Sequence, residues 1–104
     1  MNDGLALTEA VFYILLSLME PLHGYGIMQN VNRLSNGRVT LAAGTLYGAL
    51  STLLERDWIS ALPADHNGRK KEYLITESGK SVAHAELRRL RELLTNGLAI
   101  MGDS

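Results

Sequence analysis

Residues 44–54 read GTLYGALSTLL, and after three residues the segment WISALPADHNGRKKEYLIT follows at 58–76. In the first segment leucines recur every three or four positions, which is typical of the buried side of an amphipathic helix. In the second segment two runs with strand character flank the turn sequence His66-Asn67-Gly68, which indicates a β-hairpin. Only some folds place a helix directly before a β-hairpin, so these two segments limit the folds that the whole chain can adopt.

Two more helices are expected before this helix and hairpin. The first begins at Thr8, whose hydroxyl group suits an N-cap, and runs to about Met19. The second runs from about 26 to 34, after a turn at residues 23–26. It ends at Asn36-Gly37, where both residues tolerate positive φ.

The last predicted element is a long helix that starts at Thr76 or Ser78 and that Asn96-Gly97 is expected to end or bend. Three helices followed by a hairpin make a winged helix-turn-helix, in which the third helix can enter the DNA major groove. We therefore predict a mostly α fold with a small β-hairpin. A winged helix-turn-helix DNA-binding domain spans 1–76 and a C-terminal dimerisation helix spans 77–104, and together they form one compact unit.

Self-association is expected from two apolar surfaces. The first helix is apolar on almost every side between Val11 and Met19, so it needs cover from more than one direction. The last helix repeats apolar residues in a heptad-like pattern that suits packing on another helix. The dimer interface predicted from these patterns consists of Val11, Leu15, Leu87, Leu90, Leu94 and Met101.

The outward side of the third helix is small and rich in hydroxyl groups. A helical wheel turns Thr45, Gly48 and Thr52 outward and puts Tyr47 and Ser51 on the flank. Small side chains permit close approach to a DNA groove, while hydroxyl groups bond phosphates or base edges. The alternative interpretation is an ordinary surface helix whose tyrosine packs at the rim of the core.

Arg69, Lys70 and Lys71 follow the predicted hairpin turn directly. Three adjacent cations repel one another and gain from a phosphate partner, which favours a DNA-binding wing. Residues 29–71 contain six basic and three acidic side chains, a local balance of +3, although the whole chain has a net charge of −1. The alternative is a soluble turn whose basic edge discourages strand aggregation.

Composition places the protein among globular chains of one domain. It has 104 residues, of which 46% are hydrophobic and 20% charged, and its lack of cysteine excludes disulfides and Cys-based zinc sites. His23, His66 and His84 lack metal-ligand spacing and no nucleophile motif is present, so we predict no metal, no cofactor and no enzyme activity. The apolar run 11–19 is too short to cross a bilayer, so we expect a cytoplasmic protein without a membrane partner.

Three motifs together resemble the PadR family of bacterial winged-helix transcription regulators. They are His23-Gly24-Tyr25-Gly26, Gly44-Thr45-Leu46-Tyr47 and the stretch GRKKEY at 68–73, with Thr76 and Gly79 after them. Their order and spacing match over about residues 5–100, and the single short C-terminal helix resembles the compact branch of the family. The resemblance implies a homodimer, held by the first and last helices, that binds palindromic promoter DNA.

The resemblance also implies repression of transcription that a small molecule or a stress signal relieves. Carried over by position, Tyr25, Thr45, Tyr47, Arg69 and Lys70 are the implied DNA contacts, while Gly24 and Gly26 allow close backbone packing. The helical wheel and the basic hairpin extend this set. The predicted DNA-binding residues are Tyr25, Thr45, Tyr47, Gly48, Ser51, Arg69, Lys70 and Lys71.

Two positions depart from the family pattern. Ala42-Ala43 stands where a Ser/Thr-Pro pair often precedes the third helix, which removes a good cap, so the helix start shifts or relies on Thr40. Asp57, beside Trp58, stands where the family often has glycine.

Two other functions stay open at this point: a winged-helix module that binds another protein, which the near-neutral charge favours mildly, and a small-molecule sensor without direct DNA binding.

Overall fold

The computed structural model describes residues 7–63 and 70–102 of the chain. Four helices and three short strands make a mostly helical fold with one small antiparallel sheet in these two ranges, and the predicted winged helix-turn-helix class is confirmed. The elements in chain order are α1 (Glu9–Ser17), β1 (Leu22–His23), α2 (Gly24–Leu34), α3 (Ala43–Glu55), β2 (Ile59–Leu62), β3 (Glu72–Ile75) and α4 (Glu77–Met101).

Side-chain caps define the starts of three helices. Thr8, His23 and Thr76 each accept a hydrogen bond from the backbone N–H three residues further on, at 3.1, 3.0 and 3.0 Å. Such a cap satisfies one of the N–H groups that a helix leaves free in its first turn. The predicted starts at Thr8 and Thr76 are therefore confirmed. The second helix begins two residues earlier than predicted, because the His23 imidazole caps it.

The turn after α2 uses the two residues expected there. Asn36 and Gly37 have φ values of 54° and 80°, and the Gly37 N–H donates to the carbonyl of Asn32 at 2.8 Å. Asparagine and glycine adopt this left-handed conformation with the least strain. The turn brings α3 across α2, as a helix-turn-helix requires.

The sheet has the strand order β1-β3-β2, with both pairings antiparallel. β2 and β3 form the predicted hairpin, in which Ile59 pairs with Ile75 and Leu62 with Glu72. The prediction of a turn was wrong for His23, which pairs with β3 together with Leu22. A strand of two residues has too few positions to show an alternating pattern. The predicted turn at residues 66–68 lies outside the described residues.

The hydrophobic core lies between the first three helices and the inner side of the sheet. The predicted leucine stripe of α3 is confirmed, since Leu46, Leu50 and Leu53 are buried and Leu54 packs against them. Trp58 packs against the same core at the base of the hairpin. The residues of the core cluster are Ile14, Leu15, Leu18, Ile27, Val31, Leu46, Leu50, Leu53, Ile59, Tyr73 and Ile75.

α4 continues without interruption through Gly97 to Met101. Of the two predicted effects of Asn96-Gly97, an end or a bend, the end of the helix at this point was wrong. A single glycine inside a helix costs only about 1 kcal/mol relative to alanine, and it keeps its backbone N–H. The first turns of α4 pack on the body of the protein through Gly79, Ala83 and Glu86, whereas residues 90–101 are all exposed. Within residues 7–63 and 70–102, no helix has both the length and the apolar character that a membrane span needs.

Candidate nucleic-acid interface

The exposed side of α3 consists of small and hydroxyl-bearing residues. Gly44, Thr45, Gly48, Ser51 and Thr52 are all exposed, while the leucine stripe on the opposite side is buried. The structure therefore brings together the residues that the helical wheel turned outward. A helix side of this kind lets the backbone come close to a groove, and its hydroxyl groups can reach base edges or phosphates.

The fold itself gives no packing reason for glycine at positions 44 and 48. Apart from its two chain neighbours and the nearby backbone of its own helix, a Cβ atom built on either residue has no heavy atom within 4 Å among the described residues. Gly48 lies in the interior of the helix, where glycine costs about 1 kcal/mol relative to alanine, and Gly44 lies in its first turn. Without side chains at these two positions, the exposed side of α3 is open to close approach.

The start of α3 differs from the other three helices. Ala42 is the N-cap residue, and no side chain accepts a hydrogen bond from the first turn in the part of the chain that the structure describes. Thr40 does not replace the missing cap: its hydroxyl accepts a hydrogen bond from the Asn32 side chain at 2.9 Å and none from the first turn of α3. The substitution of Ala42-Ala43 for a capping pair therefore leaves the first N–H groups of α3 open to solvent or to a ligand.

Two exposed tyrosines lie beside this helix side. Tyr25, near the start of α2, is 57% exposed, and Tyr47 of α3 is 48% exposed. The Tyr47 ring lies against Gly24, since a Cβ atom on that glycine would be 2.8 Å from Cζ of the ring. Tyr47 therefore combines the two roles that its sequence position allowed, a DNA-facing residue and a residue at the rim of the core. Part of its ring packs against α2, and part remains accessible to solvent.

The wing strand passes close to Tyr47. Burial raises the pKa of the Tyr73 hydroxyl on β3, and the neighbouring Tyr47 raises it further. Lys70 and Lys71 are exposed and lead directly into this strand. Because a strand advances about 3.3 Å per residue, Lys71 lies roughly 7 Å along the chain from Tyr73. Lys70 and Lys71 therefore lie within a few residues of Tyr73, whose pKa is affected by Tyr47 of α3. Arg69 lies outside the described residues.

The junction between α3 and the wing contains a left-handed residue. Asp57 has a φ of 61°, a conformation that glycine adopts without strain and that aspartate tolerates better than most residues. The Thr76 hydroxyl donates to the Asp57 carbonyl at 2.6 Å, and the Arg56 guanidinium lies 5.2 Å from the centre of the Trp58 ring. The departure from glycine at this position therefore leaves the turn intact.

The residues predicted for a dimer interface separate into two groups. Leu87, Leu90, Leu94 and Met101 are 46%, 40%, 62% and 86% exposed on α4. Leu15, in contrast, has no exposed surface, because it lies in the core of the single chain. It has no surface for a partner to contact, and we leave it out of the proposed interface. Val11 is half-buried and packs against the same core.

The exposed apolar side of α4 is wider than the predicted one. Leu93, Leu98 and Ile100 are also exposed, at 54%, 43% and 84%. A helical wheel places them beside the predicted seam, so this signal was available in the sequence. We call the whole surface the α4 apolar side; it consists of Leu87, Leu90, Leu93, Leu94, Leu98, Ile100 and Met101.

A partly buried ion pair, which was not predicted from the sequence, lies on α4 beside the backbone of Leu7. Arg89 donates from Nε to one carboxylate oxygen of the buried Glu86 at 3.0 Å and from Nη2 to the other at 2.6 Å. These hydrogen bonds lower the pKa of Glu86, and the backbone of Leu7 lowers it further, whereas burial acts in the opposite direction. The i, i+3 spacing of the two residues was the available signal.

Comparison with known proteins identifies the family. A model described as the transcriptional regulator PadR-like family matches residues 12–85. The chain belongs to the PadR-like family. It is a family of transcriptional regulators, and a comparison with curated proteins gave no significant match.

Several solved structures share the fold. A PadR-like transcription factor from Bacteroides fragilis is 27% identical, with a TM-score of 0.70 and coverage of 88% of this chain and 87% of that one. A transcriptional regulator from Clostridium thermocellum is 17% identical, with a TM-score of 0.71 and coverage of 90% and 92%. PadR of Bacillus subtilis in complex with operator DNA is 22% identical, with a TM-score of 0.63 and coverage of 75% and 45%.

Proposed function

We propose that this PadR-like protein is a dimeric, sequence-specific DNA-binding regulator that represses transcription until a small molecule or a stress signal releases it. One observation carries the proposal: the exposed side of α3 holds two helical glycines that the packing of the chain does not require. A major groove about 12 Å wide admits an α-helix, and small residues on its outer side let the helix lie deep in it.

The wing supplies the sequence-independent part of the binding. Lys70 and Lys71 are exposed and lead into β3, and we propose that they contact the phosphates that flank the groove. Each phosphate that a cation neutralises releases counterions from the duplex. We therefore expect affinity that falls steeply as the salt concentration rises. Arg69 belongs to the same run of cations in the sequence.

The α4 apolar side supports the dimer. Its seven residues cover most of one side of the C-terminal half of the helix, with exposed fractions from 40% to 86%. A second copy of the chain would cover them with an identical surface, as the symmetry of a two-fold dimer requires. Two α3 helices related by such an axis recognise two half-sites of a palindrome. We accordingly propose a palindromic operator and a cytoplasmic location, where such DNA is found.

The experiment that tests the proposal begins with a randomised duplex library. The wild-type protein is expected to enrich a palindromic sequence, whose affinity is then measured by fluorescence anisotropy at several salt concentrations. The double variant Lys70→Ala/Lys71→Ala should flatten the salt slope by about 0.9 for each phosphate that the protein no longer neutralises. Arg88→Ala/Arg91→Ala removes the same charge from exposed positions on α4 and serves as the control. Failure to enrich any duplex, or an equal slope for both variants, would contradict the proposal.

A protein-binding module is the alternative function, and two observations favour it. The net charge of −1 is unusual for a protein that binds DNA strongly, and the α4 apolar side suits a protein partner of another kind. The same library experiment separates the two functions, because a protein-binding module enriches no duplex. A small-molecule sensor without DNA binding would behave in the same way, and thermal-shift screening with planar aromatic compounds would then distinguish these two.

A further inference from the structure

Gly24, the first residue of α2, lies directly under the ring of Tyr47. A Cβ atom built on Gly24 would be 2.8 Å from Cζ and 3.3 Å from Cε1 of that ring, and closer still to the hydroxyl oxygen. Distances of this size are well inside van der Waals contact. Gly24 is buried, although it lies at the start of a helix at the surface of the protein. The tyrosine of α3 therefore rests on the backbone of α2.

The backbone conformation does not explain the glycine at position 24. Positive φ among the described glycines occurs at Gly37 and Gly102, and Gly24 is not one of them. What position 24 requires is space. Gly26, two residues further along, differs in this respect, because the nearest atom to its Cβ would be Cδ2 of Leu22 at 3.2 Å.

The space above Gly24 determines where the Tyr47 ring points. Tyr47 is 48% exposed, and none of its ring atoms lies within 4 Å of a Cβ atom built on Gly44. The ring is thus directed toward α2 and away from Gly44 on the exposed side of α3. Side chains on a helix otherwise lie over the preceding turn, which for Tyr47 contains Gly44. A ring moved off Gly24 would therefore cover part of the side that the DNA has to approach.

We propose that Gly24 is a positioning residue for DNA binding: by lacking a side chain it holds the Tyr47 ring against α2 and keeps the exposed side of α3 open. This inference rests on the proposed function, since it concerns the geometry of the same surface. It assigns the first glycine of α2 a role in DNA affinity that acts through Tyr47 and not through the stability of the fold.

A double-mutant cycle tests the inference. The variants are Gly24→Ala, Tyr47→Ala and the two combined, and the probe is the duplex that the wild-type protein enriches from the randomised library. Anisotropy titrations at low salt keep weak complexes measurable, because phosphate contacts are strongest there. Gly24→Ala is expected to weaken binding about five- to tenfold in the wild-type background, which lies within the range of couplings between residues in contact. In the Tyr47→Ala background it should change the affinity by less than about twofold.

The outcomes separate the inference from the proposed function. If the wild-type protein enriches no duplex, the proposed function itself fails. If it does, but Gly24→Ala weakens binding equally in both backgrounds or in neither, the positioning role is wrong while DNA binding stands. If Gly24→Ala alone does not fold, the combined variant still tests the positioning role. Removal of the Tyr47 ring leaves space for the added methyl group, so the combined variant should fold and have the affinity of Tyr47→Ala. A Gly26→Ala control that couples to Tyr47 as strongly as Gly24→Ala would also overturn the inference.

Discussion

The backbone carbonyl of Trp58 occupies the space in which a Cβ atom on Gly79 would lie. Such an atom would also be 2.7 Å from Cγ1 of Ile75 and 3.0 Å from the carbonyl carbon of Trp58. The same carbonyl accepts a hydrogen bond from the backbone N–H of Thr76 at 3.0 Å. The start of α4 is therefore fitted directly onto the start of the wing, and its position depends on a glycine inside a helix.

The Gly79→Ala variant is expected to be less stable than the wild type, by about 1 to 3 kcal/mol in the free energy of unfolding. The added methyl group would displace backbone atoms of Trp58, which move less easily than the end of a flexible side chain. Urea denaturation measures the change. The Gly48→Ala variant makes the same substitution where a Cβ meets no described atom, so it should be more stable by up to about 1 kcal/mol. Equal effects at both positions would show that the contact with Trp58 adapts freely.

The Gly48→Ala variant should also bind the selected duplex more weakly, although its fold is more stable. A methyl group on the exposed side of α3 holds the helix away from the groove, and we expect a loss of roughly tenfold in affinity, or about 1.4 kcal/mol. Anisotropy and thermal unfolding on the same sample give both quantities. Asn96→Ala, at an exposed position in α4, is the control that raises helix propensity without touching α3. A Gly48→Ala variant with undiminished affinity would remove the main support for the proposed function.

The Leu94→Arg variant should dissociate the proposed dimer. Leu94 is 62% exposed in the single chain and lies in the middle of the α4 apolar side, where a second copy would bury the introduced charge. An unpaired buried charge costs about 3 to 5 kcal/mol, so the dissociation constant should rise about 100-fold or more. Light scattering over a concentration series measures it. Thr95→Arg puts the same charge on the neighbouring exposed position and should leave the dimer intact, whereas equal effects would place the interface elsewhere.

The Glu86 carboxylate should make stability depend on pH in the acidic range. Its hydrogen bonds from Arg89 lower its pKa in the folded state below the ordinary value of 4.5. A lowered folded pKa means that the contribution to stability is complete above 4.5 and is lost as the pH falls through the folded value. The Glu86→Gln variant should therefore show a flatter decrease in the free energy of unfolding between neutral and acidic pH, measured by urea denaturation.

The Arg89→Met variant provides the complementary test of this pair. It leaves the Glu86 carboxylate buried without its main hydrogen-bond donor, so it should lose more stability at neutral pH than Glu86→Gln does. The difference between the two variants should shrink in acid, where the carboxylate is protonated. A difference that stays constant with pH would mean that Arg89 acts only through packing.

The Tyr47→Phe variant should lower the pKa of Tyr73. Burial is the larger cause of the raised pKa of Tyr73 and the nearby Tyr47 hydroxyl the smaller one, so the pKa should move toward its ordinary value of 10.0 without reaching it. Ultraviolet titration of the phenols, with assignment by NMR, measures the shift. Tyr25→Phe removes another exposed phenol, one that does not contribute to the raised pKa of Tyr73, and is the control. An unchanged pKa in Tyr47→Phe would contradict the placement of Tyr47 beside β3.

Most of the fold could be predicted because local chemistry and tertiary packing agree. Thr8 and Thr76 are good caps, Asn36-Gly37 suits a left-handed turn, and the leucine period of α3 has one clear direction. β1 could not be predicted, since two residues hold their place through pairing with a distant strand. The continuation of α4 through Gly97 was not predicted either. Unlike β1, it has a local sequence signal, but a single glycine is too weak a signal to end the helix.

Some parts of the candidate site could be predicted from the sequence and others could not. The exposed side of α3 followed from the helical period, since Leu46 and Leu50 fix the buried direction. The burial of Leu15 in the core of its own chain could not be predicted, because an all-apolar helix does not show which of its sides faces the core. The contact between Gly24 and Tyr47 joins residues of different helices, and no periodic pattern within either helix reports it.

The left-handed φ of Asp57 affects how a mutational scan of this protein should be interpreted. At that position most replacements, above all valine, isoleucine and threonine, place a crowded side chain in a conformation that penalises it. If variants are selected for regulation, these replacements will be lost, as replacements of a residue that contacts DNA bases would be. The cause is different, however, because they reduce the stability of the fold and not the contact with DNA. Glycine and asparagine at position 57 should survive such a selection, and that pattern of survivors marks a conformational requirement.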